Sequence, residues 1–356
     1  MTIRRLFTQR LLGPEDVPPS RGDFEVVGAF NPGAVRVSDE VVLLVRVAER
    51  PKERRAGCTA LPRWQGGEPV IDWVPDAELQ PLDPRAVRFR QTGLVRLTFL
   101  SHLRLVRLTG DGRAVQEVTQ VTIRPEGEVE EFGVEDPRIT PLDGRFYITY
   151  VAVSRHGPAA ALASTADFRT FDRHGIILCP ENKDVVLFPE KPAGEYAALH
   201  RPVCGTPFTR PEMWVARSPD LLHWGRHEPL TIGGAGWQAD RIGGGCPPVR
   251  VPGGWLEIYH GSRRPTQPGE VGEYSAGALL LDADSPAHVL KWTPEPLLRP
   301  ETDFERMGFV PNVVFPTGLV EAGDELLVYY GAADTATGVV GFDRRELLGV
   351  LSEPRA

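Results

Sequence analysis

The sequence contains few cysteines and no long apolar run. Its four cysteines, Cys58, Cys179, Cys204 and Cys246, are scattered among 356 residues and form no CxxC pair, so neither a zinc site nor a disulfide framework is indicated. We expect reduced thiols in the core. No segment approaches the roughly 18 consecutive apolar residues of a membrane-spanning helix. No Walker motif, GxGxxG after a strand or HExxH is present, so no nucleotide cofactor and no metal is expected.

The balance of charge also excludes some partners. A net charge of -8 does not provide the basic face that nucleic acids and anionic membranes require, so a small or neutral ligand is the expected partner. The opening residues, MTIRRLFTQRLLGPEDVPP, carry charges where a signal peptide needs its apolar region, which predicts a cytoplasmic protein.

Lysine is rare, with four residues against 36 arginines. Two of the four, Lys183 and Lys191, lie in the short segment ENKDVVLFPEK. Because a lysine ammonium is a compact point charge that arginine does not replace, this pair suggests a site that needs an ammonium group. A chance pair on a solvated loop is the alternative.

Short apolar or alternating runs separated by Gly, Pro and Asp turns predict an all-β fold, since helical periodicity is nearly absent. Five of these runs share one pattern, in which a Pro-containing start leads to a strand, a tight turn and a second strand. They are NPGAVRVSDEVVLLVRVAER from Asn31, DPRITPLDGRFYITYVAVSR from Asp136, FPEKPAGEYAALHRPV from Phe188, PPVRVPGGWLEIYHGSR from Pro247 and PNVVFPTGLVEAGDELLVYYGAAD from Pro311.

Repeats about 50 to 65 residues apart have the period of propeller blades, so we predict a five-bladed β-propeller that forms a single catalytic domain over residues 1–356. The one longer gap predicts an insertion around residues 50–90, and LVRLTFLSHLRLVRLTGDG supplies outer strands of the first blade. Strands from residues 1–30 are expected to complete the last blade. A pair of β-sandwiches is the alternative fold, but it does not explain five similar hairpins.

The innermost strands of propeller blades converge on one funnel, so polar residues that are distant in sequence can share a site. Pro137 fixes its own φ and favours an extended Asp136, which would aim that carboxylate. Strand alternation would turn Glu135 away from the funnel, to pair with a basic side chain behind it, and return Arg138 to the face of Asp136. A cation there would lower the pKa of Asp136, unless burial or a hydrogen bond keeps the acid protonated or Arg138 is fully engaged elsewhere.

The motifs FNPGAV, SHLRLVRLTGDG, EDPRIT, NKDVVLFPEK...ALHRP, RIGGGCPPV...GWLEIYHG and NVVFPTG...LLVYYGAADT, in this order, resemble glycoside hydrolase family 130, the β-mannoside phosphorylases. The resemblance runs from about Phe30 to about Val340. It implies a five-bladed β-propeller and inverting phosphorolysis of β-1,4- or β-1,2-linked mannosides, which yields α-mannose 1-phosphate and a shortened acceptor. Inorganic phosphate is the co-substrate.

The resemblance also implies roles for individual residues. Asp136 of the EDPR motif is the catalytic general acid, whose proton is thought to pass through the 3-hydroxyl of the mannosyl unit. A phosphorylase needs a cationic cradle instead of the second carboxylate that an inverting hydrolase uses. The candidates for phosphate binding are Arg155, Lys191, Arg201 and His260, with Arg173 as a weaker fifth. The candidates for substrate binding are Asn31, Arg46, His200, Tyr259 and Asp334, with Asn312 less favoured.

Other functions remain open at this point. The nearest alternative is an inverting β-mannosidase on the same fold, with Glu190, Asp240, Asp303 or Asp334 as base. A non-catalytic glycan-binding or scaffold propeller is the second, although no WD-type repeat is present. Rim loops, including the insertion and residues 263–275, are expected to select the acceptor. A homo-oligomer is an open alternative to a monomer.

Overall fold

The structure is a computed structural model that describes residues 3–203, 205–206, 208–232, 236–265, 267 and 269–353. In the first third of the chain the strands are β1 (Phe7–Leu12), β2 (Phe24–Val37), β3 (Glu40–Pro51), β4 (Cys58–Gln65), β5 (Glu68–Pro75), β6 (Leu79–Asp83), β7 (Ala86–Phe89), β8 (Val95–Leu97), β9 (Leu100–Leu108) and β10 (Val115–Ile123). In the middle third they are β11 (Gly133–Leu142), β12 (Arg145–Ser154), β13 (Gly157–Thr165), β14 (Asp172–Leu178), β15 (Asn182–Leu187), β16 (Tyr196–Pro202), β17 (Trp214–Ser218) and β18 (Gly225–Pro229). In the last third they are β19 (Arg241–Gly243), β20 (Val249–Val251), β21 (Gly254–Arg263), β22 (Glu273–Leu281), β23 (Val289–Trp292), β24 (Val314–Ala322), β25 (Glu325–Ala332) and β26 (Ala336–Asp343). The described helices are α1 (Asp303–Arg306), α2 (Arg344–Gly349) and the single 3-10 turns Pro14–Asp16, Asp76–Glu78, Glu128–Glu130, Pro192–Gly194 and Gly236–Gln238.

The described strands form an all-β chain with five main antiparallel sheets and two small ones. Sheet I has the order β10-β9-β3-β2, sheet II is β11-β12-β13-β14 and sheet III is β15-β16-β17-β18. Sheet IV is β19-β21-β22-β23 with β20 also paired to β21, and sheet V is β1-β26-β25-β24. The predicted roles of β9 in the first sheet and of an N-terminal strand in the last are therefore confirmed.

Five hydrophobic clusters fill the spaces between successive sheets, and the last space lies between sheets V and I. The run VVLLV in β3 shows how one strand contributes to two of them. Val41, Leu43 and Val45 pack toward sheet V, whereas Val42 and Leu44 pack toward sheet II. Because successive side chains point to opposite faces, a strand buried on both faces reads as a continuous apolar run.

The first strands of the sheets contact one another, and glycines make the close approach feasible. A side chain at Gly33 of β2 would lie 2.8 Å from the carbonyl of Pro137 in β11. At Gly318 of β24 it would lie 2.5 Å from Ala34 of β2. Polar residues on these first strands are therefore brought together, whatever their distance in sequence.

A β-bulge recurs in the first strands and interrupts side-chain alternation. The register shifts between Phe30 and Gly33, between Glu135 and Arg138, and between Lys183 and Val186. The polar residue in each bulge, Asn31, Asp136 or Asp184, has a left-handed backbone with φ of 48°, 50° or 57°. The predicted extended conformation of Asp136 is therefore wrong. Such a bulge re-aims side chains, because two residues oppose one on the partner strand.

Residues between β3 and β9 form the predicted insertion, which consists of the small sheets β4-β5 and β6-β7-β8. The third repeat is placed differently from the prediction: its first strand is β15, and the FPEKPAGE segment forms the turn that follows. Lys191 and Glu190 therefore lie at the turn, whereas Lys183 lies in the first strand.

Of the cysteines, Cys246 is buried, Cys58 is half-buried and Cys179 is exposed, and all three are free thiols. The prediction of core thiols holds for Cys246 alone among the described cysteines, and Cys204 lies outside the described residues. Among the described residues no helix has the length and apolarity needed to cross a membrane. Within the same part of the chain no group of three or more potential ligands is arranged to hold a metal ion.

Candidate active site

A cavity of about 370 Å³, here called the central cavity, lies where the first strands meet. Six of the ten predicted site residues contribute to its wall. They are Asn31, Arg46, Asp136, Arg201, His260 and Asp334. Sheets I, II, III, IV and V each supply a strand residue or an adjoining residue to this group, as a funnel of converging strands predicts.

Asp136 is held in a dense set of hydrogen bonds. Its Oδ1 accepts from Asn31 Nδ2 at 2.8 Å and from Arg46 Nη1 at 2.9 Å. Arg46 Nη2 donates to Glu135 Oε1 at 2.7 Å, so one guanidinium bridges two adjacent carboxylates. Phe30 and Phe99 lie against this guanidinium, with ring centres 4.8 and 5.5 Å from Cζ. The fork geometry and the aromatic contacts fix the position of Asp136.

Glu135 lines the cavity beside Asp136, which contradicts the prediction that it points away. Arg138 is buried and donates to the carbonyls of Asp136, Gly244 and Gly245 at 3.0 to 3.2 Å. Arg138 is thus engaged by backbone carbonyls, but its positive charge still lowers the pKa of Asp136, so the alternative in which its engagement elsewhere spares the acid does not hold. The bulge at Asp136 explains the position of Glu135, because it cancels one step of alternation.

Burial and charge act in opposite directions on Asp136. Burial favours the protonated acid, but the positive charges of Arg46 and Arg138 and the hydrogen bond from Asn31 outweigh it and lower the pKa of Asp136. The alternative in which burial keeps this acid protonated is therefore wrong for the ligand-free site. We infer an ionised Asp136 before substrate binds.

Asp334 lies in the same wall, but its pKa is shifted in the opposite direction to that of Asp136. Burial and the neighbouring Asp136 and Glu135 carboxylates raise the pKa of Asp334, despite the positive charges of Arg85 and Arg46. Arg85 Nη1 is 3.9 Å from Asp334 Oδ2, and a bidentate contact with Asp83 holds Arg85 in place. Asp83 is the last residue of β6 and Arg85 lies in the turn to β7, so the insertion supplies part of the cavity wall.

Asp184, which is nearly fully buried, organises a second group of basic side chains. Its Oδ2 accepts from Arg201 Nε at 2.7 Å and lies 3.5 Å from His260 Nε2, while Oδ1 lies 3.4 Å from Arg138 Nη2. Burial opposes ionisation, but the positive charges of Arg201 and Arg138 hold the pKa of Asp184 far below its ordinary value. This carboxylate orients the basic groups that face the cavity.

His260 and Lys183 have unused hydrogen-bonding capacity. His260 has no exposed surface, and neither ring nitrogen has a hydrogen-bond partner among the described residues. Burial, with the nearby positive charges of Arg201, Arg138 and Arg241 outweighing Asp184, lowers the pKa of His260 to about 3. Lys183 lines the cavity and makes no side-chain hydrogen bond or ion pair with the part of the chain that the structure describes. A buried polar atom without a partner costs free energy, so this region is suited to a bound anion.

Two predicted residues face away from the cavity because of strand alternation. Tyr259 donates to Gln238 Oε1 at 2.8 Å within the core between sheets III and IV. His200 contacts Asn182 and His227, each at 3.0 Å, on the side of β16 opposite Arg201. Both belong to adjacent pairs, Tyr259–His260 and His200–Arg201, in which one member faces the cavity and the other faces the sheet interior.

Two predicted phosphate ligands lie outside the central cavity. Lys191 is half-exposed at the turn after β15, where its ammonium is 3.0 Å from Asp143 Oδ2 and 4.2 Å from the Tyr196 ring centre. Arg155 makes a bidentate contact with Glu131 at 2.6 and 2.7 Å on the surface.

The weaker candidates also lie away from the central cavity. Arg173 bonds Glu130, and Asn312, Glu190 and Asp303 are exposed. Asp240 pairs with Arg241, whose side chain does line the cavity. Sequence reasoning missed Glu135, Asp184, Arg85 and Arg241 as wall residues, and it singled out Lys183 only as one of a pair of lysines, without assigning it to phosphate.

Comparisons with known proteins show similarity to one family along most of the chain. Residues 101–353 match the family model of glycoside hydrolase family 130, described as β-1,4-mannooligosaccharide phosphorylase. A β-1,2-mannobiose phosphorylase of Listeria innocua is 38% identical over 94% of each chain. A 1,2-β-oligomannan phosphorylase of Thermoanaerobacter is 35% identical over 67% of this chain and 77% of that one. The solved structure of a Listeria innocua β-1,2-mannobiose phosphorylase with β-1,2-mannobiose has a TM-score of 0.89 at 37% identity, covering 96% of this chain and 98% of that chain.

Proposed function

Because this chain belongs to glycoside hydrolase family 130, we propose that it catalyses the inverting phosphorolysis of β-mannosides to α-mannose 1-phosphate and a shortened acceptor. The observation that carries the proposal is the composition of the central cavity. An anchored carboxylate, Asp136, shares that cavity with Arg201, Lys183 and the buried His260, and the side chains of the last two make no hydrogen bond with the described residues. These residues offer an acid at one part of the wall and an anion site at another.

The ring of sheets is interpreted as a five-bladed β-propeller. Support comes from five main sheets in chain order, from the five hydrophobic clusters between them and from the contact of their first strands. The insertion of β4–β8 is an addition to a single catalytic domain. A cytoplasmic location, the absence of a cofactor and any homo-oligomer stay predictions from the sequence.

We assign phosphate binding to Lys183, Arg201, His260 and Arg241, with Asp184 as the carboxylate that orients Arg201. Lys183 takes the role predicted for Lys191. Charge-assisted hydrogen bonds from such groups hold phosphate in line with the anomeric carbon and lower the entropic cost of the attack. His260 donates one N–H to phosphate as a neutral imidazole, since its pKa is low.

We assign the mannosyl unit to Asn31, Arg46, Asp334 and Arg85. Carboxylates and guanidinium forks suit vicinal hydroxyl groups, and Phe99 adds an apolar face in the same wall. Arg85 is the contribution of the insertion, and its clamp by Asp83 keeps it directed into the cavity.

Proton balance explains how Asp136 can act although the empty site holds it ionised. Phosphorolysis breaks the bond from C1 to the leaving oxygen and forms a bond from C1 to a phosphate oxygen. HPO₄²⁻ loses its hydrogen as it becomes the sugar phosphate, and the leaving oxygen gains one. The bound phosphate also adds negative charge to the cavity, which raises the pKa of the carboxyl groups there. Asp136 thus takes up a proton from solvent when both substrates are present and delivers it, through the 3-hydroxyl of the mannosyl unit, to the leaving oxygen, while the hydrogen of the bound phosphate is released to solvent.

A hydrolase is the weaker alternative. An inverting hydrolase needs an ionised carboxylate to activate water, about 6.5–9.5 Å from the acid. Of the four candidate bases, Glu190, Asp240 and Asp303 do not line the central cavity, and Asp334 has a raised pKa, which opposes the role of base.

We propose β-1,2-mannobiose as the disaccharide substrate, since the relative that covers 94% of this chain is named for that sugar. The test is incubation with β-1,2- and β-1,4-mannobiose, with and without inorganic phosphate, followed by ³¹P and ¹H NMR. We expect α-mannose 1-phosphate to form from the β-1,2 disaccharide, and only when phosphate is present. Free mannose released from both halves of the disaccharide, at a rate independent of phosphate, would establish a hydrolase.

A further inference from the structure

The first strand of sheet IV differs from the first strands of sheets I to III, because it is divided in two. Its parts, β19 and β20, pair with opposite ends of β21, and residues 244–248, with the sequence GGCPP, lie between them. In sheets I, II and III the comparable irregularity is a bulge that carries a polar side chain, Asn31, Asp136 or Asp184. Sheet IV instead presents backbone groups at this point. Residues 244–246 are here called the glycine segment.

The carbonyl groups of the glycine segment hold Arg138, a β11 residue that is 1% exposed. Its Nη2 donates to the Gly244 carbonyl at 3.1 Å, and its Nε donates to the Gly245 carbonyl at 3.2 Å. Nη1 donates to the carbonyl of Asp136 at 3.0 Å, and Nη2 also lies 3.4 Å from Asp184 Oδ1. One guanidinium therefore connects the backbone of the proposed acid with the carboxylate that orients the phosphate ligands.

Close packing means that the glycine segment is fixed mainly through its backbone. A Cβ at Gly244 would lie 2.8 Å from the carbonyl oxygen of Asp184, and a Cβ at Gly245 would overlap the carbonyl of Ile258. The N–H of Cys246 donates to that same Ile258 carbonyl at 2.9 Å. The buried N–H of Gly245 needs an acceptor as well, since a buried donor without a partner costs free energy.

Glu257 supplies that acceptor. It lies on β21 with no exposed surface, and its Oε1 accepts from the Gly245 N–H at 3.1 Å. The other oxygen, Oε2, has no hydrogen-bond partner among the described residues. Burial raises the pKa of Glu257 well above its ordinary value, and neither the Gly245 N–H nor the charge of Arg138 offsets this effect. A single neutral donor does not compensate a buried charge, so the side chain is a neutral acid.

We propose that Glu257 is a positioning residue of the reaction, which fixes the Gly245 peptide and, through Arg138, the separation of Asp136 from the basic groups around Asp184. The inference rests on the proposed function, because that function gives the separation its meaning. An inverting displacement needs the acid and the nucleophile on opposite faces of one anomeric carbon, so a small change in their separation lowers the rate. Glu257 does not line the central cavity and therefore acts through these other residues.

Replacement of Glu257 by methionine tests the proposal. Methionine has a similar length and lacks the acceptor, and a buried polar group can be exchanged for an apolar one of similar volume without loss of the fold. We expect kcat for β-1,2-mannobiose to fall by about 10- to 100-fold, as for a misplacement of up to about 1 Å, with KM for mannobiose changed by less than about threefold. If this variant does not fold, Glu257→Asp, which keeps the carboxyl group but shortens its reach by one methylene, replaces it.

The conservative variant Glu257→Gln separates the acceptor from the charge. Its amide oxygen can accept from the Gly245 N–H, so kcat should return to within about threefold of the wild-type value. An equal loss of kcat in Glu257→Gln and Glu257→Met would show that the acceptor oxygen is not what matters, and would overturn the proposal.

Glu305→Met is the matched control. Glu305 is also fully buried, but it accepts from Arg5, Tyr330 and the Thr302 N–H beside α1, away from the central cavity. This variant should lower the melting temperature and leave kcat, measured well below that temperature, within about twofold of wild type. Equal losses of both melting temperature and kcat in the Glu305 and Glu257 variants would identify a merely structural role for Glu257.

Hydrogen exchange followed by mass spectrometry tests the same contacts without turnover. In Glu257→Met we expect amide exchange in residues 241–248 and in residues 133–142 to be about two- to tenfold faster, as for the loss of one hydrogen bond, whereas Glu257→Gln should match the wild type. This result would support the positioning role even if no phosphorolysis were found, so a failure of the proposed function is distinguishable. Unchanged exchange in residues 133–142 of Glu257→Met would refute the connection through Arg138.

Discussion

Replacement of Lys183 by alanine tests the assignment of the anion site most directly. The ammonium lies in the central cavity wall and has no side-chain partner in the described part of the chain, so its removal breaks no ion pair there. A hydrogen bond from a charged donor to a bound anion contributes about 1.5–3 kcal/mol. At about 1.4 kcal/mol per tenfold change, the loss corresponds to a factor of about 10 to 150.

The effect should fall on phosphate. In Lys183→Ala we expect KM for phosphate to rise by this factor of about 10 to 150, with KM for mannobiose changed by less than about threefold. The measurement is initial-rate kinetics with phosphate varied at saturating mannobiose and then the reverse. Because Lys183 is half-buried on a first strand, a thermal unfolding curve should accompany each variant.

Lys191→Ala is the matched control. Both lysines belong to ENKDVVLFPEK, but Lys191 is half-exposed and paired with Asp143 at the turn. An exposed pair contributes little to stability, and we expect Lys191→Ala to leave all kinetic constants unchanged. If Lys191→Ala raised KM for phosphate while Lys183→Ala did not, the assignment of β15 as the strand that delivers the phosphate ligand would be refuted.

Three further predictions concern the acid, the glycine beneath the anion site and the buried histidines. Asp136→Asn should lower kcat by about 10²–10⁴, as expected for loss of a general acid, with the fold retained as judged by circular dichroism; activity within a few-fold of wild type would remove Asp136 from the mechanism. Gly243→Ala should destabilise the fold by about 1–3 kcal/mol in urea titrations and raise KM for phosphate, since a Cβ there would lie 2.5 Å from both Asp184 Oδ2 and His260 Cε1. Gly225→Ala, which adds a methyl group in open space, is its control and should be near neutral. Burial lowers the pKa of His200 to about 4 and those of His102 and His260 to about 3, so the unfolded chain binds protons below about pH 6.5 that the folded chain does not. The free energy of unfolding should therefore fall by about 2 kcal/mol per histidine between pH 6.5 and 5. In His200→Gln the fall over the same pH range should be smaller than in the wild type by about that amount. Identical losses in both proteins would contradict a contribution of His200 to the pH dependence.

The class of fold and much of the site followed from local sequence patterns. Asn31 and Asp136 each precede a proline, Pro32 or Pro137. Aligning the repeats on this shared motif therefore matched two residues that both lie in a β-bulge. In the third bulge, Asp184 is followed by Val185 and not by a proline. The predicted third repeat was therefore placed too late in the sequence, at Pro189, which lies in the turn after β15. Alignment of KDV with EDP would have found Lys183, since the physical requirement is a bulge and not a proline.

The remaining errors come from geometry that a linear pattern does not specify. Alternation allows only one residue of each pair Tyr259–His260 and His200–Arg201 to face the cavity, and the chemistry of both members suited a sugar site. A bulge suspends the same rule at Asp136, so Glu135 reaches the cavity with its neighbour. Arg85 could not be predicted, because its position depends on the path of an insertion whose sequence carries no repeat.

Pairing of β1 with β26 has a consequence for the order of assembly. Thr8 lies opposite Val340, so the outermost strand of sheet V cannot form until nearly the whole chain is available. Contacts between residues so far apart in sequence slow folding, because a long loop must close before they form. During synthesis on the ribosome, sheets I to IV can form as their strands emerge. The β1 segment is made first, but its hydrogen-bonding groups stay unpaired until β26 has been synthesised. Closure of the ring is thus a late, cooperative event, and substitutions in β1 should affect the yield of folded protein more than its catalysis.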